Sequence, residues 1–139
     1  MVKETFSAYV SAFYREFTRY TNRRLQALGL KYGLLFFVLY VGKHPGCTPS
    51  ELTRALKADW GHSQRSVTKL VEDGFLTKEK TGRVYRLCLT ERGQETFEIS
   101  RQMFSDWDGD ALAVLTDGER EELFVLLRKI ARGRNERNV

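Results

Sequence analysis

Phe6, Val10, Phe13, Phe17, Tyr20, Arg24 and Leu28 recur at steps of three or four residues. That spacing lays a mostly apolar stripe along one side of a helix and leaves Arg15, Arg19 and Arg23 off it. Gly29 is a natural stop. The next segment, Lys31–Lys43, is apolar all round; Leu34–Val41 alone reads as strand or helix, but the full length favours a buried helix ending near Gly42 and Pro45-Gly46. In Thr48-Pro49-Ser50-Glu51 the threonine stands at N-cap, proline at N1 and glutamate at N3, the pattern of a capping box. Cys47 precedes it and can pack on Leu52 as a hydrophobic staple. This third helix is predicted to reach about Leu56. A short turn, Lys57-Ala58-Asp59, then hands Asp59 to a fourth helix as its cap. That helix should run to Asp73, stop at Gly74, and turn Ser63, Val67 and Leu70 inward.

After Gly74 the period changes from helical to alternating. Phe75–Glu79 predicts a short strand, Lys80-Thr81-Gly82-Arg83 a hairpin turn, and Val84–Leu89 the return strand with Tyr85, Leu87 and Leu89 on one face. Thr90 should cap a fifth helix striped by Phe97, Phe104, Trp107 and Ala111, with a break expected at Asp106-Trp107-Asp108-Gly109-Asp110. Thr116-Asp117-Gly118-Glu119 is a second capping box, opening a sixth helix with Leu123, Phe124, Leu127, Ile130 and Ala131 on one side. The end, Arg132–Val139, is expected to fray.

With 139 residues the chain suits one domain, large enough to bury a core without a disulfide or metal staple. Charge adds a regional feature. Residues 1–46 hold seven Lys/Arg against two Glu and residues 54–92 nine against five, whereas residues 93–118 hold one against six. A positive stretch over the third and fourth helices and the hairpin favours an anionic partner. Two cysteines, no apolar leader and no apolar run longer than Leu34–Val41 lead to the expectation of a cytoplasmic protein.

Two helices joined by a short turn and followed by a tight hairpin form a winged helix-turn-helix. The second helix of such a pair can lie in a DNA major groove. The basic hairpin, with Lys78, Lys80, Arg83 and Arg86, can reach phosphate or the minor groove. Pro45-Gly46, Ser50-Glu51-Leu52, Val67-Thr68-Lys69-Leu70, Asp73-Gly74-Phe75-Leu76 and Leu87-Cys88-Leu89-Thr90-Glu91-Arg92-Gly93 resemble the MarR family, the multiple-antibiotic-resistance-type regulators of bacteria and archaea. The likeness covers about residues 5–132, and the Leu-x-Leu-Thr-x-x-Gly stretch is its most specific part. It implies a mainly α fold with a small β-hairpin wing: a winged helix-turn-helix head plus N- and C-terminal dimerisation helices. In that scheme 1–139 is a single domain, with 1–30 and 91–139 in the dimer and 31–90 as the DNA-binding core. The resemblance implies a homodimer acting as a transcriptional regulator, by default a repressor, on a pseudo-palindromic operator. The apolar stripes of the first, fifth and sixth helices independently suit a partner chain.

Arg65 falls where the family has a recognition-helix arginine, and Gly61 and His62 where it has small hydroxyl residues. His62 and Arg65 are therefore the leading DNA-contact candidates, with Gln64, Ser66 and Lys69 secondary; a solvated helix face is the other reading. Trp60 is expected half-buried against the preceding helix, or stacked on DNA. Arg83 matches the wing arginine of the family's Asp-x-Arg pattern, with Thr81 in place of the Asp, and Lys80 and Arg86 are phosphate candidates.

The resemblance also allows a small aromatic effector between dimer base and head. Tyr9, Phe13, Phe17, Phe36 and Tyr40 are the pocket candidates, core packing being the alternative. Peroxide-sensing relatives carry a cysteine in the first helix, where this chain has none. Zinc-binding relatives use clusters that His44, His62, Cys47 and Cys88 do not supply, so no metal or cofactor is expected. The Asp106/Asp108/Asp110 triplet lacks the length and terminal Glu of a calcium loop. No catalytic motif is present, and an enzyme is not expected. The competing class is a winged helix that binds protein rather than specific DNA.

Overall fold

The structure, a computed structural model, describes residues 4–137. Eight elements follow in order: α1 Phe6–Leu28, α2 Tyr32–Lys43, α3 Pro49–Ala55, α4 Trp60–Glu72, β1 Leu76–Thr81, β2 Val84–Leu89, α5 Glu91–Ala111 and α6 Asp117–Arg137. The helix ends lie where the punctuation residues put them. Thr48 Oγ1 accepts from the Glu51 N–H at 3.1 Å and Asp59 Oδ2 from the His62 N–H at 3.0 Å. Gly29 and Gly74 take positive φ (71° and 84°) just past α1 and α4.

The chain divides into two units, one ending at Met103 and the other beginning at Phe104, with α5 running through the boundary. In the first unit α2 is the buried centre. Its Leu35, Val38 and Val41 are fully buried, together with Leu25 of α1, Leu52 of α3, Val67 and Leu70 of α4, Phe75, and Leu87 of β2. Gly42 admits α5, because a Cβ there would stand 2.3 Å from the Phe97 ring. The opening half of the α1 stripe is not core within this chain: Phe13 is 56% exposed, and Phe6 and Val10 are exposed too. Among the described residues no single helix is long and apolar enough to cross a membrane.

β1 and β2 pair antiparallel, from Leu76↔Leu89 at the base to Thr81↔Val84 at the tip. The strand therefore runs two residues past the expected Glu79, and the turn shrinks to Gly82-Arg83. Gly82 takes φ 66° at its first position, as a two-residue hairpin of the II′ kind requires. Cys47 bridges to Leu87: the Gly46 N–H donates to Leu87 O and the Leu87 N–H to Cys47 O, both at 2.8 Å. Buried Cys47 thus sits at a single β-bridge to β2 as well as at the head of α3.

The Leu-Thr-x-x-Gly stretch has a physical reason. Thr90 Oγ1 donates to Gly74 O (2.5 Å) and accepts from the Gly93 N–H (3.0 Å), while the Thr90 N–H donates to Phe75 O (3.1 Å). A Cβ on Gly93 would lie 2.1 Å from that same Phe75 oxygen. Only glycine lets α5 start this close to the main chain that leaves α4.

In the second unit the capping box closes in both directions. The Thr116 N–H donates to Glu119 Oε1 (2.9 Å) and the Glu119 N–H to Thr116 Oγ1 (3.2 Å). Arg120 Nε donates back to Leu112 O at 3.2 Å, fastening the turn. Two expectations need correction. α5 is not broken at Asp106–Asp110 but continues to Ala111, since one exposed glycine costs a helix about 1 kcal/mol and does not end it. α6 does not fray from Arg132 but stays helical through Arg137, and the last two residues of that expectation, 138–139, lie outside the described residues. Its Phe124, Val125, Leu126, Leu127 and Ile130 are all exposed in the single chain.

Candidate nucleic-acid interface

The pairing of α3 with α4 is set by small polar groups. Lys57 takes the left-handed conformation (φ 51°) in the connecting turn, whose N–H groups bond back to α3. Thr53 Oγ1 and Ser63 Oγ lie 2.6 Å apart across the two helices, and Ser63 is fully buried. Thr53 carries no signal in the sequence; its partner, predicted only as inward-facing, is ten positions along the chain, and no local pattern links them.

With Ser63, Ser66, Val67 and Leu70 turned inward, α4 presents His62, Arg65, Thr68, Lys69 and Glu72 to solvent. Ser66 is the exception among the predicted contacts. It is 4% exposed and its hydroxyl donates to His62 O at 2.9 Å, because its position, three after Ser63, falls on the core side of the helix. Gln64 is half-buried, and its Nε2 is enclosed without a hydrogen-bond partner. It joins Arg65, Thr68, Lys69 and Glu72 around an open groove of about 380 Å³. Lys69 pairs with Asp73 at 3.3 Å, an exposed i,i+4 contact worth a few tenths of a kcal/mol.

His62 leans edge-on against the buried Phe37 ring, centroids 6.2 Å apart, which steadies one side of the imidazole. Gly61 leaves room beside Arg65: a Cβ there would come 3.2 Å from Arg65 Nη1 and 3.3 Å from Asp59 Oδ2. Trp60, at the first position of α4, keeps 54% of its surface exposed.

On the wing, Arg83 stands exposed in the turn. Lys78 and Lys80 flank the Tyr85 ring, with their Nζ atoms 4.8 and 5.9 Å from its centre. Tyr85 is 44% exposed, since it stands toward the tip of the hairpin, beyond the core that holds its face-mate Leu87. Arg86 is tied down, Nη1 donating to Gly46 O at 3.2 Å, and so braces the wing against the loop before α3.

The aromatic candidates separate into smaller groups. Phe17 and Tyr32 meet edge-on at 6.4 Å, and Tyr32 and Phe36 at 5.2 Å. Tyr9 pairs with Phe13 at 6.0 Å, further along α1, and Tyr40 packs on His44 at 4.4 Å. Burial, with the neighbouring Tyr14 hydroxyl adding to it, raises the Tyr32 phenol above its ordinary range.

A capped helix pair, a cationic second helix and a basic two-stranded wing define a winged helix-turn-helix protein. The chain is 41% identical over 134 residues to the HTH-type transcriptional regulator BilQ of Clostridium symbiosum, covering 94% of this chain and 93% of the relative. A MarR transcriptional regulator from Methanosarcina mazei has the same fold, with a TM-score of 0.84 at 24% identity over 98% of this chain and 93% of its own. So does Streptococcus pneumoniae FabT, solved in complex with DNA, with a TM-score of 0.86 at 15% identity over 94% and 95%. No family model matches the chain. The chain belongs to the MarR family of helix-turn-helix transcriptional regulators.

Proposed function

We propose that the chain acts as a cytoplasmic homodimer that binds a pseudo-palindromic DNA operator and represses transcription by occupying it, and that it catalyses no reaction. The observation that carries this reading is the outward face of α4, where Arg65, Lys69 and His62 stand on a helix capped at both ends and seated on the core. Arg65 and His62 are assigned to bases or backbone, and Gln64 and Lys69 to the groove beside them. Lys80 and Arg83 are assigned to phosphate or minor groove. Arg86 serves the wing's footing and adds a phosphate contact at most. Ser66 is left out of the contact set.

The exposed apolar faces of α1 and of α6 each support a second copy as partner, with 1–30 and 91–139 forming the dimer base and 31–90 the head of a single domain. A small aromatic effector would seat beside Phe17 and Phe36, where Tyr32 already joins the rings, with Tyr9, Phe13 and Tyr40 at the margins.

The test is selection of bound fragments from random DNA at about 150 mM salt, where non-specific binding is weak. The expected result is a palindrome with half-sites one helical turn, about 34 Å, apart. Binding should fall about 10³–10⁵-fold between 50 and 200 mM salt if six to ten phosphates are contacted. A flat salt response with no enriched sequence would favour a protein-binding head instead. Arg65→Ala should relax one base position by about 1–3 kcal/mol, whereas Lys80→Ala should weaken all sequences alike.

A further inference from the structure

Two helices end beside one guanidinium. Arg92, in the first turn of α5, donates through Nη1 to Asp73 O at the end of α4 (2.6 Å) and through Nη2 to Leu28 O, the last residue of α1 (3.2 Å). Its guanidinium carbon lies 4.2 Å from the centre of the fully buried Phe75 ring. Helix C-termini expose unpaired carbonyls and a partial negative charge, so a planar cation with several donors suits both ends at once. The surroundings hold it there. A Cβ on Gly29 would come 3.0 Å from Nη2, and the adjoining Gly93 fixes the start of α5 against Phe75 O.

We infer that Arg92 is a positioning residue for DNA binding: by holding the end of α4 to the end of α1 it fixes the spacing of half-sites that the dimer accepts. This rests on the reading above, in which α1 belongs to the dimer base and α4 enters the groove. In a two-headed binder the accepted spacing follows the separation of the two recognition helices. That separation is only as well defined as the angle between each α4 and the base. Without the fork α4 stays folded, since Asp59 still caps it and Ser63, Val67 and Leu70 still seat it, but its end loses the direct tie to α1. Base reading survives while spacing discrimination declines.

The experiment compares wild type, Arg92→Gln and Arg92→Lys on the DNA that wild type selects, and on the same DNA with one base pair inserted or removed between half-sites. Melting temperature and dimer mass are recorded alongside. For Arg92→Gln the affinity ratio between native and altered spacing should shrink roughly tenfold, the worth of one charge-assisted hydrogen bond. Single-base discrimination within a half-site and the salt slope should stay unchanged. Arg92→Lys, which keeps the charge but not the fork, should fall between, and carries the comparison if the glutamine variant does not fold. An equal loss on every spacing would mark Arg92 as merely structural and overturn the inference, as would an unchanged ratio. If wild type itself selects no paired half-sites, the operator reading fails first and takes this inference with it; that outcome is seen without any variant.

Discussion

Replacing Gly93 with alanine should destabilise the protein even though alanine is the better helix former. An added Cβ would meet Phe75 O at 2.1 Å, where ordinary contacts are about 3.5–4.0 Å, so two main-chain segments must part by more than 1 Å. Neither is free to move: Phe75 O accepts from Thr90, and the Gly93 N–H is held by Thr90 Oγ1. Overpacking costs about 1–3 kcal/mol, and rigid backbone on both sides argues for the upper end. Alanine recovers at most about 1 kcal/mol of helix propensity. The expected net loss is about 2 kcal/mol, or a urea midpoint lowered by about 1 M at an m-value near 2 kcal/mol/M. Gly109, in the same helix, has nothing within 4 Å of its would-be Cβ, and Gly109→Ala should gain about 0.5–1 kcal/mol. The two variants are compared by urea unfolding at one protein concentration, because association adds to apparent stability. A Gly93→Ala midpoint at or above wild type would refute the reasoning.

Asp59→Ala removes the cap of α4 and should cost about 1 kcal/mol, visible by urea unfolding and as faster amide exchange in the first turn. Glu119 is held below the usual carboxylate range by hydrogen bonds from the Thr116 backbone N–H and then its hydroxyl. A depressed folded pKa gives stability that is present above the ordinary value of 4.5 and lost as pH falls through the lowered one. Melting curves from pH 7 to pH 3 should therefore decline less for Glu119→Gln than for wild type over the acid end; parallel curves would count against the bond. Burial is the main cause that pushes the Cys47 thiol up to about 11, so it should resist alkylation at pH 8 until the protein is unfolded, while the half-buried Cys88 reacts earlier. Peptide mapping after a timed pulse of iodoacetamide decides between the two.

Local chemistry made most of the fold readable. Thr48, Asp59 and Thr116 announce helix starts by side-chain bonds that span three residues, and Gly29 and Gly74 announce stops by a backbone angle. The errors arose where a distant group decides. Ser66 looked like an outward polar residue, but helical phase puts it in the core with Ser63. The acidic stretch around Gly109 looked like a break, yet the helix on either side carries it. Arg92 drew no notice as a site because its two acceptors, Leu28 O and Asp73 O, lie 64 and 19 positions away along the chain. Tyr85 was legible as the face-mate of Leu87, but its exposure follows from how far the hairpin tip projects beyond the core, which alternation alone does not report.

The wing is a two-stranded ribbon, and β1 has a strand beside it on one side only. A free strand edge invites another chain to add to it, the first step toward aggregation. Lys78, Glu79 and Lys80 occupy the middle of β1, all exposed, so a strand approaching that edge must desolvate three charges. Lys80, proposed above as a phosphate or minor-groove contact, would therefore also act with Lys78 and Glu79 as a gatekeeper of this edge when no partner is bound. Neutralising them to probe nucleic-acid binding would expose a second liability, and such variants should be tested for light scattering on standing before any loss of binding is assigned to a lost contact.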